Sequence, residues 1–256
     1  FEGDGLNNAT DYSTIGTTPI FTGVPLWNST GGYGGTGAYQ FDGIDDVITI
    51  GNSLSYNISQ NITIAVRVKA VQWGANWRGI VWKAVTTDGA PWALRVDNND
   101  RVWFTINPAG GSNTIHIYAA TVIDGNWHHV VGTYDGSYGK IYVDGVLKQT
   151  SALTQFAISG AAGTVYVGGG TTAKFNGTID DVRIYNRSLS LSEILMINAS
   201  KDYIMSDQET RAGENWTACV TPNDGYQNGI TNCSNNLFIR NVINFTSVYP
   251  NNTGAV

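Results

Sequence analysis

Charged side chains are scarce in this sequence, and basic ones are scarcer than acidic ones. Only 13% of the 256 residues are charged, and 14 Lys and Arg against 20 Asp and Glu leave a formal net charge of -6 at pH 7. No basic run is present that could neutralise a string of phosphates. We therefore expect neither nucleic acid nor an anionic membrane surface as a partner.

Long apolar runs, histidine and cysteine are also absent or rare. No stretch approaches the roughly 18 consecutive apolar residues of a membrane-spanning helix, so we expect no membrane span in this chain. The 3 His and 2 Cys are too few for the ligand clusters that hold zinc. Glutamate, the scarcest acid, occurs only at Glu2, Glu193, Glu209 and Glu214.

The abundant residues are those of a globular protein with many turns. Hydrophobic residues make up 42%, aromatic residues 11%, and there are 31 glycines. Asp-Gly and Asn-Gly pairs recur at short intervals between runs rich in β-branched and aromatic residues. These runs predict an all-β antiparallel sandwich, with strands at 47–50, 62–68, 79–82, 93–96, 102–106, 127–134, 140–143, 164–167 and 179–185.

One short helix is predicted near residues 191–199. Ser190 and Glu193 have the spacing of a capping box, and the apolar residues 194–197 follow. From about Asp202 the sequence becomes a polar, Asn- and Thr-rich region. We therefore predict two domains, residues 1–201 and residues 202–256, the second built on a β-hairpin.

The two cysteines predict a disulfide bond. Cys219 and Cys233 lie symmetrically about Tyr226, inside a run of turn-forming residues, 222–229. If this run closes a β-hairpin, the two thiols face each other on paired strands. A metal site is the alternative, but two lone thiols lack the four ligands of structural zinc. A disulfide indicates an oxidising, extracellular compartment.

Acceptor sequences for N-glycosylation exceed the number expected by chance. The 25 Asn and 43 Ser and Thr predict roughly 4 Asn-X-Ser/Thr triplets, whereas the sequence contains 11. We interpret the chain as an exported glycoprotein, although an Asn- and Thr-rich β protein could accumulate such triplets passively. The acceptors are Asn8, Asn28, Asn57, Asn61, Asn176, Asn186, Asn198, Asn215, Asn232, Asn244 and Asn251.

Several motifs follow one another in an order typical of one extracellular family. They occupy residues 38–47, 62–68, 127–136, 141–145 and 175–190. In order and spacing they resemble the LamG-like, concanavalin A-like lectin/glucanase family, over about residues 1–200. The resemblance implies a two-sheet jelly roll, placement outside the cell or on its surface, and binding of carbohydrate or protein. Residues 213–225 resemble the final strands of Ig-like modules of archaeal and bacterial surface proteins. This second resemblance implies only a hairpin in this chain.

The resemblance also implies a structural calcium ion that ties the first strands to the last. Matching positions are the Gly43 carbonyl and the Asp180 carboxylate. Calcium takes about 6 to 8 oxygen ligands, so waters or further carbonyls would complete the shell. The alternative is that Asp180 caps a turn by accepting hydrogen bonds from nearby amides.

Trp127 and His129 share a strand face, and we expect both in the core.

Catalysis is not expected. The enzymes of this fold, the jelly-roll glucanases, use two carboxylates spaced along one strand that faces the sugar. No Glu-X-Asp-X-X-Glu arrangement is present, and neighbours in the pairs Asp45-Asp46 and Asp180-Asp181 fall on opposite faces of a strand. No Gly-X-Ser-X-Gly nucleophile elbow occurs either.

Tryptophans and polar residues between positions 71 and 92 predict a binding surface. Flat aromatic rings beside amide and guanidinium groups suit sugar rings. They indicate a non-catalytic recognition or adhesion module for glycans or another surface protein. The alternative for any single tryptophan, above all Trp82 and Trp103, is a place in the core. The predicted ligand-binding residues are Trp73, Asn76, Trp77, Arg78 and Trp92.

A second hypothesis is a structural subunit of a self-assembling filament or surface layer. Terminal segments such as residues 250–256 fray when they are free. If this one is ordered, another element holds it, such as the sheet edge of a neighbouring copy of the same chain.

Overall fold

A computed structural model of the chain describes residues 2–3, 9–10, 17–70, 77–85, 90–108, 114–120, 122–169, 174–200, 215–217, 219–220 and 230–238. The chain divides into two compact units, Phe1–Ala199 and Ser200–Val256. Within the described residues, no helix is both long and apolar enough to cross a membrane.

The first unit is built from strands, with one α-helix, α1 (Leu191–Asn198), and single 3-10 turns at Tyr33–Gly35 and Leu54–Tyr56. Its strands are β1 (Glu2–Gly3), β2 (Ala9–Thr10), β3 (Ile20–Thr22), β4 (Leu26–Asn28), β5 (Ala38–Asp42), β6 (Val47–Gly51), β7 (Ile62–Lys69), β8 (Arg78–Ala84), β9 (Trp92–Val96), β10 (Val102–Ile106), β11 (Ile115–Ala119), β12 (Trp127–Tyr134), β13 (Gly139–Val143), β14 (Val146–Thr150), β15 (Thr164–Val167) and β16 (Asn176–Tyr185).

Two seven-stranded antiparallel sheets form the sandwich. The first sheet has the strand order β11-β10-β9-β8-β15-β6-β3, and the second sheet has the order β14-β13-β12-β7-β16-β5-β4. Strands distant in the sequence are neighbours in both sheets, as when β15 pairs with β6 and β8. The prediction of an all-β two-sheet jelly roll with one short helix is confirmed.

Alternate residues of each central strand fill the space between the sheets. On β10, Val102, Phe104 and Ile106 are all 0% exposed. Because successive side chains of a strand point to opposite faces, Trp103 between them faces outward. The same alternation operates on β7, whose inward residues belong to the same core. The inner faces are therefore apolar, and the outer faces remain free to carry a functional surface.

The sheets approach each other closely at a glycine of β12. A Cβ atom on Gly132 would lie 2.2 Å from Cδ2 of Phe104, which belongs to the facing sheet. Such a separation is far below a van der Waals contact, so only glycine fits here.

Helix α1 covers part of the outer face of the second sheet. Ser190 accepts a hydrogen bond from the Glu193 backbone, and the Glu193 side chain accepts one from the Ser190 backbone, which completes the predicted capping box. Ile194 and Ile197 then pack on Ala65 and other outward residues of the sheet. The helix thus covers part of the face of the second sheet that points away from the first sheet.

The second unit contains four short strands within the described residues. β17 (Asn215–Trp216) pairs with β20 (Leu237–Phe238), and β18 (Cys219–Val220) pairs with β19 (Asn232–Cys233). Cys219 and Cys233 are direct partners and form a disulfide, so the predicted bond is confirmed. The predicted turn at 222–229 lies outside the described residues, as do residues 250–256, and the filament hypothesis stays a prediction.

Candidate functional site

An exposed cluster of aromatic side chains lies on the outer face of the first sheet. Trp103 of β10 is the cross-strand partner of Tyr118 on β11 and of Arg95 on β9. Residues that are direct partners point to the same face, so these three side chains form a row. Trp77, just before β8, and His116 of β11 lie against the same row. We call these five residues the aromatic surface.

The rings of the aromatic surface touch one another. The Trp103 ring centroid lies 4.9 Å from that of Tyr118 and 5.6 Å from that of Trp77. Trp77 is 43% exposed and Tyr118 is 36% exposed. Large aromatic rings that cluster in contact with water are typical of a binding surface rather than of ordinary surface packing.

A buried carboxylate holds the central ring in place. Asp97 is 1% exposed and accepts hydrogen bonds from Trp103 Nε1 at 2.8 Å and Arg101 Nε at 2.7 Å. The backbone amides of Asn99 and Arg101 donate to its other oxygen. Burial opposes ionisation, but these hydrogen bonds outweigh it and lower the pKa of Asp97. The ionised carboxylate therefore fixes the Trp103 ring before any ligand arrives.

Two arginines are packed against the rings. The Arg101 guanidinium carbon lies 4.6 Å from the Tyr118 ring centroid and 5.1 Å from that of Trp103. The Arg95 guanidinium carbon lies 5.0 Å from the Trp77 ring centroid. All three separations fall within the range of cation–π contacts. The surface thus combines flat apolar rings with hydrogen-bond donors.

His116 contributes a neutral ring at the edge of this surface. Burial lowers its pKa, and the nearby Arg95 charge lowers it further. At pH 7 the imidazole is therefore uncharged, so one ring nitrogen can donate a hydrogen bond and the other can accept one.

The structure places the predicted ligand-binding residues in different surroundings, some at the surface and some buried. Trp77 belongs to the aromatic surface, whereas Trp73 and Asn76 lie outside the described residues. Trp92 is 0% exposed within the core, so its predicted contact with a ligand is wrong. Arg78 is also buried, and its guanidinium donates to Asp100 Oδ1 at 2.8 Å and to the Asp97 carbonyl. Its predicted ligand role is therefore wrong as well.

The residues missed by the sequence analysis come from later strands. Trp103, predicted as a core alternative, is only partly buried, while Trp82 is 9% exposed and packs with Tyr166. Tyr118 and Arg95 were not predicted. The signal for Tyr118 was the alternation of His116 and Tyr118 with aliphatic residues along β11.

The predicted calcium ligands do not come together. Asn176 is opposite Asp42, so Asp180 lies four positions further along β16, about 13 Å from the Asp42 end of β5. The Asp180 carboxylate instead accepts hydrogen bonds from the Tyr33 and Asp181 amides. Shared coordination by Gly43 and Asp180 is therefore wrong, and the turn-capping alternative describes Asp180.

Another acidic group lies beside Gly43. Asp42, Asp45 and Asp46 have carboxylate oxygens within 4.8 Å of one another. Asp46 accepts hydrogen bonds from the amides of Val24 and Asp42, and Asp42 accepts from the Ile44 amide. These hydrogen bonds explain the clustering of the three carboxylates as part of the structure of the loop. A structural calcium ion stays a prediction, which a melting temperature unaffected by chelator would contradict.

Trp127 and His129 lie on the outer face of the second sheet rather than in the core. His129 is the partner of Arg67 on β7, and Trp127 contacts Tyr33 edge-on with 6.4 Å between ring centroids. His129 is nevertheless 1% exposed. The expected burial is present for His129, but the expected position between the sheets is wrong.

Residues 42–195 match the family model of the concanavalin A-like lectin/glucanases superfamily. The chain belongs to this superfamily. The matched segment runs from the end of β5 into α1, and it includes every strand that carries the aromatic surface.

Solved structures of the same fold include binding domains of toxins and one domain of an enzyme. The binding domain of botulinum neurotoxin DC in complex with rat synaptotagmin II is 15% identical (TM-score 0.58), with 77% of this chain and 51% of that chain covered. Botulinum neurotoxin type C, whose cell entry depends upon two ganglioside molecules, is 16% identical (TM-score 0.58), with 77% and 50% covered. This superfamily member thus spans about half the length of those toxin chains.

Domain 4 of AbnA, an extracellular arabinanase from Geobacillus stearothermophilus, was solved with arabinotriose. It is 20% identical (TM-score 0.54), with 71% of this chain and 88% of that domain covered. The chain matches none of the curated proteins with which it was compared.

Proposed function

We propose that the jelly roll is a non-catalytic carbohydrate-binding module that acts outside the cell or on its surface. The observation that carries the proposal is the aromatic surface, in which exposed Trp77 and Tyr118 flank a fixed Trp103 ring. Arabinotriose bound to AbnA domain 4 supports a sugar ligand for this fold, while the synaptotagmin complex supports a protein surface as the alternative partner.

The geometry suits a sugar because the two kinds of contact occur side by side. The C–H faces of a pyranose are apolar and stack on aromatic rings, while its hydroxyls need directional partners. Arg95 and Arg101, whose guanidinium groups lie over the Trp77 and Tyr118 rings, and His116, which meets Trp103 edge-on, supply such partners. Since Trp103 is already oriented by Asp97, little ordering entropy opposes binding.

An extracellular location agrees with the disulfide and with the placement of the glycosylation acceptors. The disulfide links Cys219 to Cys233. No acceptor triplet occurs between Asn61 and Asn176, the segment that contains β8 to β11. The strands that carry the aromatic surface would therefore stay free of N-glycans in a heavily glycosylated chain.

The acids near the candidate site have structural roles that support a non-catalytic module. Asp97 is buried, and its two oxygens accept four hydrogen bonds. Asp100 pairs with Arg78. Away from the site, on the second sheet, Glu193 belongs to the helix cap and pairs with Arg187. A glycosidase needs two carboxylates that reach the substrate.

Removal of one exposed ring tests the proposal. We expect Trp77→Ala to weaken binding on a glycan array and in calorimetry about tenfold or more, with little change in melting temperature, because the ring is 43% exposed. The matched control is Tyr138→Ala, since Tyr138 is 38% exposed on the β12–β13 turn. Equal losses in the two variants, or no glycan bound by the wild type, would contradict a sugar site on the aromatic surface.

A further inference from the structure

Arg95 differs from the other arginines in the described part of the chain. Five of the six are within 4.0 Å of a carboxylate, in the pairs Arg67–Asp181, Arg78–Asp100, Arg101–Asp97, Arg183–Asp181 and Arg187–Glu193. Arg95 has no carboxylate partner among the described residues. Its bonded acceptor is a neutral hydroxyl, Thr105 Oγ1, at 3.2 Å from Nη2.

The Arg95 side chain is half-buried, so its charge is only partly solvated. Its Nε is buried and has no hydrogen-bond acceptor. Burial lowers the pKa of Arg95, yet a guanidinium remains protonated at neutral pH. A cation held out of water without a counter-charge is unfavourable, and an anion from a ligand would relieve it.

The charges around Arg95 leave one uncompensated positive charge on the aromatic surface. Arg101 is neutralised by Asp97 at 2.6 Å. His116 is uncharged at pH 7, because burial and the Arg95 charge lower its pKa. Among the described residues, the sum is a single cation, within a chain whose net charge is -6. A single anionic group on the ligand would complement it.

We propose that Arg95 binds the carboxylate of a uronic acid unit whose ring stacks on Trp103 and contacts the tilted Trp77 ring at its side. This inference rests on the proposed function and names the class of sugar, an acidic glycan built from uronic acids. Arg95 is the cross-strand partner of Trp103 and contacts Trp77, so the guanidinium lies beside the rings.

The shape of a uronic acid fits this arrangement. Its equatorial carboxylate extends from the edge of the pyranose, close to the ring plane. A pyranose that lies flat on an indole therefore directs the carboxylate sideways, toward a cross-strand neighbour whose Cβ is about 5 Å away. Guanidinium and carboxylate are planar groups that form paired hydrogen bonds. A phosphate monoester carries close to two negative charges, more than one arginine balances, and a sulfate ester presents tetrahedral rather than planar oxygens to the guanidinium.

Matched acidic and neutral ligands test the inference. The probes are oligosaccharides of galacturonate, of mannuronate and of the glucuronate-containing hyaluronan, each measured by calorimetry beside its methyl ester. We expect at least one acid form to bind about tenfold or more tightly than its ester, since a charge-assisted hydrogen bond is lost on esterification. Equal affinity of every acid and its ester would overturn the inference.

Variants of Arg95 assign the preference to this side chain. Arg95→Gln should abolish the acid-over-ester ratio, which is measured within each variant and so does not depend on how tightly that variant binds the ester, and Arg95→Lys should keep part of the ratio. The control is Lys148→Gln, which removes an exposed cation from β14 of the second sheet. A ratio that survives Arg95→Gln, or that falls equally in Lys148→Gln, would contradict a role for Arg95.

The two proposals fail in different ways. If esters and acids bind equally and Trp77→Ala abolishes both, the sugar site stands and the uronic acid does not. If neither form binds and no neutral glycan is retained on an array, both proposals are wrong. A preference for sulfated glycans alone would also overturn the uronic acid assignment.

Discussion

His128 and His129 are adjacent on β12 but have opposite environments. Burial lowers the pKa of His128, but hydrogen bonds to Asp144 at 2.8 Å and Asp124 at 3.1 Å outweigh this effect, and the pKa is raised. His129 is almost completely buried, and burial, with the charge of Arg67, lowers its pKa to about 4. The alternation of side chains along a strand produces this difference.

His129 should make the first unit less stable in mild acid. Its folded pKa of about 4 lies below the ordinary value of 6.5, so its contribution is complete above pH 6.5 and is lost as the pH falls toward 4. We expect this loss to reach about 3 kcal/mol in the wild type and to be absent in His129→Gln. Chemical unfolding at several pH values measures it, and parallel curves for the two proteins would contradict the prediction.

His128 should have the opposite pH dependence. Because its pKa is raised above 6.5 in the folded protein, its stabilising contribution is complete below pH 6.5 and declines as the pH rises through the folded value. His128→Gln should therefore cost more stability at pH 5.5 than at pH 8.5. The same unfolding experiments decide this, and a cost that increases with pH would be inconsistent with the contacts to Asp124 and Asp144.

Close packing between the two sheets determines which side chains the strands tolerate. Gly132→Ala would place a methyl group against Phe104 in the core, and we expect a loss of about 1 to 3 kcal/mol in the free energy of unfolding. Gly160→Ala is the matched control, since its Cβ would lie 3.7 Å from the nearest atom, Ser59 Cβ. Equal stabilities of the two variants in denaturant would show that the sheets are further apart than described.

The helix cap is the second element whose stability can be measured. Ser190→Ala removes the acceptor for the Glu193 amide and should lower the free energy of unfolding by about 1 kcal/mol. Ser190→Thr keeps a hydroxyl and should restore most of the loss. A threonine variant as unstable as the alanine variant would contradict the capping role.

For the whole molecule, the disulfide should stabilise the second unit independently of the aromatic surface. It joins residues separated by 14 positions, which corresponds to about 3 kcal/mol of chain entropy. In the full chain, replacement of both cysteines by serine should increase proteolysis within residues 200–256 and leave ligand affinity of the first unit unchanged. Loss of ligand affinity in this double variant would contradict a site confined to the aromatic surface.

Local sequence patterns determined the secondary structure of this protein. Residues 102–106 form β10, residues 127–134 form β12, and the capping box at Ser190 begins α1. Each of these signals lies within a few neighbouring residues, and the symmetry that pairs Cys219 with Cys233 lies within one short segment. Such features are predictable because propensity, period and capping act over short stretches of chain.

The composition of the candidate site depended on tertiary structure. The period of two places Trp92 and Arg95 on opposite faces of β9, and Trp103 and Phe104 on opposite faces of β10. The period does not say which of the two faces is covered by other parts of the protein. That choice follows from the packing of the first sheet on the second, which buries Trp92 and leaves Trp103 outside. Register decided the rest, because it places Arg95 and Tyr118 on either side of Trp103. Non-local pairing of this kind is not encoded in any single segment, so the sequence indicated a tryptophan-rich binding module while only the folded sheets identified its surface.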